Sequence, residues 1–117
     1  MKILRTLIRV YTNDLENTIK YYEDLYNEIC NLRFDYEKMN LKLAQVGNVL
    51  ILSGSDQALE KFKDTRATFI VDSIEEYKKI LLIKGAKIIR DIMNVPTGKN
   101  MTVKHNDGTI IEYVEKF

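Results

Sequence analysis

The sequence predicts an α+β fold made of two tandem β-α-β-β-β units within a single domain spanning 1–117. Three observations carry this. The stretches "LIRVYTNDLENTIKYYEDLYN" and "RATFIVDSIEEYKKILLIKGA" form a weak internal repeat, each reading as a strand that runs directly into a helix. Each predicted helix is followed by three short runs rich in β-formers. Within the strands, apolar and polar residues alternate, so each strand has two chemically different faces.

The elements follow in order. In the opening strand Ile8 and Val10 share one face, and Leu7, Arg9 and Tyr11 share the other. Asn13 and Glu16 have the spacing of a capping box, and Leu15, Ile19, Tyr22 and Leu25 then recur as a helical stripe. "CNLRFDYEKM", "LKLAQV" and "VLILS" are the next three strands, the last two joined by a tight turn at Gly47-Asn48. This first unit covers about 3–53. The polar stretch "GSDQALEKFKDT" is expected to lie outside, with one helical turn.

The second unit covers about 66–117. On its first strand Ala67, Phe69 and Val71 oppose Arg66, Thr68 and Ile70. Ser73 with Glu76 is the second capping box, Ile74, Tyr77 and Leu81 the second stripe, and Gly85 the expected C′ stop. "KIIRDIMNV", "MTVKH" and "TIIEYVE" follow, broken at Pro96-Thr97-Gly98 and Asn106-Asp107-Gly108. In both units the wholly apolar strand faces are expected under the helices. The mixed faces then form a candidate ligand surface.

Bulk properties exclude several function classes. Eighteen Lys and Arg against seventeen Asp and Glu give no net field to draw nucleic acid or an anionic membrane. No apolar run approaches the ~18 residues of a membrane span, and "MKILRTLIRVY", interrupted by Arg5 and Arg9, does not read as a signal peptide. The one cysteine, Cys30, rules out an internal disulfide and fits a reducing cytosol, where it is expected as a half-buried hydrophobe. A cytoplasmic protein is therefore expected. Walker loop, Cys-x-x-Cys pair, nucleophile elbow and dinucleotide fingerprint are all missing.

The paired units, the strand that runs through "ND-L" into a helix, and the final "NDG-x-x-x-E" strand together resemble the vicinal oxygen chelate superfamily. That group includes glyoxalase I, bleomycin-resistance proteins and extradiol dioxygenases. The resemblance covers essentially the whole chain. It implies an open, incomplete barrel with a concave cleft, which in the family commonly holds a divalent metal bound by His or Glu of the first and last strand of each unit. Carried onto this chain, those positions fall at Leu7, Ile51, Arg66 and Glu112. Only Glu112 can bind a metal, since Leu and Ile have no donor atom and Arg repels a cation. No metal and no cofactor are therefore expected. The lone imidazole, His105, lies beside the Asn-Asp-Gly turn and is expected to be solvated.

Glu112 stands at the centre of the β-former run "IIEYV", where a buried carboxylate is costly unless it is partnered. Three readings stay open: an ion pair with Arg66, which the family geometry brings into one cleft; a catalytic acid or base or ligand contact; or a wet strand edge. Arg9, Tyr11, Arg66, Thr68 and Glu112 are the candidate ligand-binding residues. The two arginines suit an anionic or carbonyl-bearing group and Tyr11 gives a flat wall, although surface arginines covering apolar area would read the same. Tyr21 and Tyr26, off the main stripe, serve a partner subunit or partly exposed packing.

By this resemblance the chain is a metal-free small-molecule-binding protein, a homodimer that sequesters a drug or metabolite. The alternatives are a metal-independent isomerase or lyase, with Glu112 as general base and Arg66 or Arg9 stabilising an oxyanion, and a regulatory dimer with a vestigial cleft.

Overall fold

Eleven regular elements are seen in a computed structural model that describes residues 1–117. They are β1 (Ile3–Thr12), α1 (Leu15–Tyr26), β2 (Leu32–Tyr36), β3 (Leu41–Val46), β4 (Val49–Ser53) and α2 (Asp56–Leu59), followed by β5 (Thr65–Val71), α3 (Ile74–Ile83), β6 (Lys87–Val95), β7 (Gly98–Lys104) and β8 (Ile110–Lys116). A single 3-10 turn, Glu37–Met39, separates β2 from β3. The β-α-β-β-β order occurs twice, as expected, and the fold is α+β. No helix is long and apolar enough to cross a membrane.

The chain divides into two compact units. The N-terminal unit is Ile8–Asp64, and the C-terminal unit joins Met1–Leu7 to Thr65–Phe117. The opening residues thus belong with the second repeat rather than the first. Backbone bonding explains this: Lys2 N–H donates to Asp72 Oδ1 at 2.8 Å, and Asp72 N–H donates back to the Lys2 carbonyl at 3.2 Å. The terminal ammonium adds longer contacts to Asp72 and Glu76, at 3.6 and 3.7 Å.

In the N-terminal unit the strand order is β2-β3-β4-β1, with β1 parallel to β4 and the other pairs antiparallel. Leu15 and Ile19 of α1 pack on Ala44, Val46, Val49 and Ile51, with Val10, Tyr22 and Cys30 at the margin. The hairpin at Gly47-Asn48 forms as expected. Gly47 has φ +55°, and a Cβ there would meet the Tyr26 ring at 2.5 Å, so the turn accepts only glycine without rearrangement.

Three local expectations for this unit are corrected. Asp14, not Asn13, caps α1, its carboxylate accepting from Asn17 N–H at 3.2 Å. Asn13 instead donates to the Gly54 carbonyl (2.8 Å) and Asp56 Oδ1 (3.0 Å), while Glu16 turns outward to Arg33. Leu25 is 65% exposed, because it lies one step further round the helix than Tyr22 and leaves the stripe. The connecting stretch does not lie wholly outside. Ser55 caps α2 by accepting from Ala58 N–H, and Leu59 at its end is 2% exposed.

The C-terminal unit has the order β5-β8-β7-β6, β5 parallel to β8 and the rest antiparallel. Ile74 and Leu81 of α3, with Tyr77 and Ile80, cover Ala67, Phe69, Val71, Met101, Val103, Ile111 and Tyr113. The apolar face of β5 therefore lies under the helix, as the alternation predicts. Ser73 caps α3 through Glu76 N–H, and the Glu115 carboxylate accepts from Ile74 N–H at 2.9 Å, where the positive end of the helix dipole favours an anion. Gly85, at φ +90°, ends the helix as expected.

Candidate functional site

Alternation along β8 sends Ile111 and Tyr113 under α3 and Glu112 to the opposite face of the sheet. Register then assembles a polar row across four strands. Thr68 of β5 and Thr102 of β7 are both partners of Glu112, and Arg90 of β6 is the partner of Thr102. Asn100, two residues before Thr102 on β7, completes the group. Arg90 is flanked by register shifts on both sides.

The hydrogen bonds form a chain. Thr68 Oγ1 donates to Glu112 Oε1 at 2.9 Å, and Asn100 Nδ2 donates to Glu112 Oε2 at 2.9 Å. Arg90 Nη2 donates to Asn100 Oδ1, and a longer bond reaches Thr102 Oγ1 at 3.4 Å. Arg90 Nη1 adds the carbonyls of Asp91 (3.2 Å) and Asn100 (3.4 Å). One amide thus stands between a guanidinium and a carboxylate, its oxygen towards the cation and its nitrogen towards the anion. That arrangement fixes the amide orientation and lowers the energy of both charges. Thr68 and Asn100 are 2% and 6% exposed, whereas Glu112 and Arg90 are half-buried. The row therefore presents two charged groups on a floor of buried neutral ones.

Of the expected site residues, the structure brings Thr68 and Glu112 together. The Arg66–Glu112 ion pair is not formed. Arg66 lies at a β-bulge between Thr65 and Ala67, two residues short of the position opposite Glu112 and with an exposed side chain, and Thr68 is the register partner of Glu112. Arg9 and Tyr11 lie together in the N-terminal unit, the guanidinium 5.6 Å from the ring centroid, with Tyr11 Oη donating to the Phe62 carbonyl at 2.5 Å. Arg90, Asn100 and Thr102 were missed. The polar alternation of "NMT" is the signal for two of them, while nothing in "KIIRDIMNV" sets Arg90 apart from the other polar residues of that strand.

The four positions that the resemblance singles out do not converge on a metal site. Leu7 and Ile51 are buried hydrocarbons, and Ile51 lies on the helix side, packed beneath α1, rather than on the mixed face. No group of three His, Cys, Asp or Glu side chains is placed to hold an ion, and the bonds of Glu112 described above come from a hydroxyl and an amide, which act as donors. The residues present do not fit a divalent metal.

His105 is also corrected. It is half-buried rather than solvated, with Nε2 2.7 Å from Tyr113 Oη and its ring beside Phe69 and Tyr113. Burial, with a smaller contribution from the charge of Tyr77, pushes the Tyr113 phenol up to about 12.

Comparison with known proteins agrees with the fold. No protein-family model and no curated protein sequence matches the chain. Among solved structures, an uncharacterized (hypothetical) protein from Methanosarcina mazei is 45% identical, with a TM-score of 0.94, covering 100% of this chain and 95% of its own. Methylmalonyl-CoA epimerase from Mycobacterium tuberculosis superposes with a TM-score of 0.80 at 15% identity, over 98% of this chain and 89% of its own. The Streptomyces coelicolor methylmalonyl-CoA epimerase, a variant in complex with 2-nitronate-propionyl-CoA, gives 0.76 at 15% identity, over 98% and 96%. At that identity the likeness to the epimerases is one of fold.

Proposed function

The chain belongs to the family of the Methanosarcina mazei protein, on the vicinal oxygen chelate fold, and from that premise we propose that it is a small-molecule-binding protein that works without a metal. The observation that carries this reading is the Arg90–Asn100–Glu112–Thr68 chain. It places a half-buried cation and anion on one sheet face while donor side chains hold the carboxylate. Arg90 suits a carboxylate or carbonyl oxygen of the ligand, and Glu112 suits a hydroxyl or amide donor. Arg9 with Tyr11, and the exposed Arg66, remain proposed ligand contacts.

A second reading is favoured by the same juxtaposition. Glu112 acts as a base that takes a proton from carbon next to a carbonyl, and Arg90 stabilises the oxyanion that forms. Solved epimerases on this fold hold acyl-CoA ligands, and this chemistry is of that kind. The third reading, a regulatory dimer without a working site, draws on the N-terminal unit. Its face away from α1 carries Leu43, Leu50 and Leu52, all buried.

Calorimetric titration of chelator-dialysed protein separates these readings. The panel is methylmalonyl-CoA, short 2-oxo acids and dicarboxylates, with each binder re-tested for turnover. Saturable binding that survives chelator and weakens about tenfold in Arg90→Met is expected. Turnover abolished by Glu112→Gln selects the enzyme. Near one metal per chain by elemental analysis, with binding lost on chelation, refutes the metal-free reading.

A further inference from the structure

On the α3 side of the C-terminal unit, a groove of about 370 Å³ lies between the last turn of α3 and the β7–β8 turn. Leu81, Ala86 and Tyr113 line it with hydrocarbon and an aromatic ring. His105, also on the wall, and Tyr113 are bonded to each other at 2.7 Å, which ties the two rings together, and Leu81, Ala86 and the Tyr113 ring make the floor apolar. The two walls are tied together, Asn106 Nδ2 donating to the Lys84 carbonyl at 2.6 Å. The groove is therefore pre-formed rather than a gap between mobile segments.

The rim carries two opposite charges. Lys84 ends α3 on one side, and Asp107 sits in the turn on the other. Neither takes part in a salt bridge. Asp107 stays ionised, its carboxyl held below the usual range chiefly by the Thr109 backbone N–H. A cation and an anion flanking an apolar floor select a ligand with the inverse pattern.

We infer that this groove binds a small zwitterion with an apolar tail, the chemistry of a free α-amino acid with an aliphatic or aromatic side chain. Its carboxylate meets Lys84, its ammonium meets Asp107, and its side chain covers Ala86 and Tyr113. Because Tyr113 and Glu112 are neighbours on β8, this site lies on the opposite sheet face from the polar row and does not depend on what binds there.

The test is a heteronuclear NMR titration of the full chain. L-Phenylalanine and L-leucine are compared with 3-phenylpropionate and phenethylamine, each of which lacks one of the two charges. Saturable shifts at the amides of Ala86, His105 and Asp107 are expected with both amino acids, and about fivefold weaker binding for each single-charge analogue. Lys84→Gln alters an exposed side chain and leaves the melting temperature unchanged, yet weakens amino-acid binding by about the same factor. Absence of saturable shifts overturns the inference. So does an equal response to the single-charge analogues, or an unchanged affinity in Lys84→Gln.

Discussion

Removing the Asn100 side chain tests whether the polar row is a working unit. In Asn100→Ala the Glu112 carboxylate loses one of its donors and Arg90 its acceptor on the amide, both in bonds to charged groups. Such bonds contribute roughly 1.5–3 kcal/mol each, which sets an upper limit of about 3–6 kcal/mol. Glu112 and Arg90 are only half-buried, so water replaces part of what is lost, and a destabilisation of about 2–3 kcal/mol is expected. Urea unfolding with an unchanged m-value measures it. Thr68→Val, which removes only the 2.9 Å bond to Oε1, is expected to lose less, about 1–2 kcal/mol. Combined with Glu112→Gln, Asn100→Ala is expected to be non-additive, since the two residues share a bond. Arg66→Ala, on the exposed bulge, stays within about 0.5 kcal/mol of wild type. A loss below about 1 kcal/mol in Asn100→Ala, or strict additivity with Glu112→Gln, would refute the idea that Asn100 couples the two charges.

Two further outcomes follow from the structure. Alkaline titration of tyrosinate absorbance is expected to show one late phenol near 12, absent in Tyr113→Phe, among the seven tyrosines. The folded-state value is raised above the unfolded value of about 10, so the stability Tyr113 contributes is intact below pH ~10 and is lost as pH rises from there towards 12; a protein with no late phase contradicts the burial of this phenol. Light scattering is expected to give twice the 13.7 kDa chain mass, because Leu4 and Ile8 leave one side of β1 57% and 54% exposed and a second copy is the proposed cover. Ile8→Lys then shifts the protein to monomer, and a monomeric wild type at micromolar concentration refutes the dimer.

Periodicity and turn chemistry made the architecture readable from the chain alone. The repeat, the stripe Ile74-Tyr77-Leu81, the Gly47-Asn48 hairpin and the Gly85 stop all depend on interactions within a few residues and are found, as is the stripe Leu15-Ile19-Tyr22-Leu25 apart from the exposed Leu25. Alternation also assigned Ala67, Phe69 and Val71 to the helix side and Thr68 to the other face.

What the sequence did not determine is which side chains Glu112 meets, because partnership across a sheet depends on register. Arg66 sits in a β-bulge two residues before Thr68, the register partner of Glu112, and no local signal in "DTRATF" announces that register. Asn100 reaches the same carboxylate only through β7, and Arg90 of β6 bonds Asn100 and Thr102 in turn, across strands whose pairing is fixed by tertiary packing. His105 moved from solvent to a bond with Tyr113 for the same reason: its place is set by the return of β8 beside β7, not by the turn residues next to it. Local chemistry wrote the elements, and long-range register chose the neighbours of every charged group in the site.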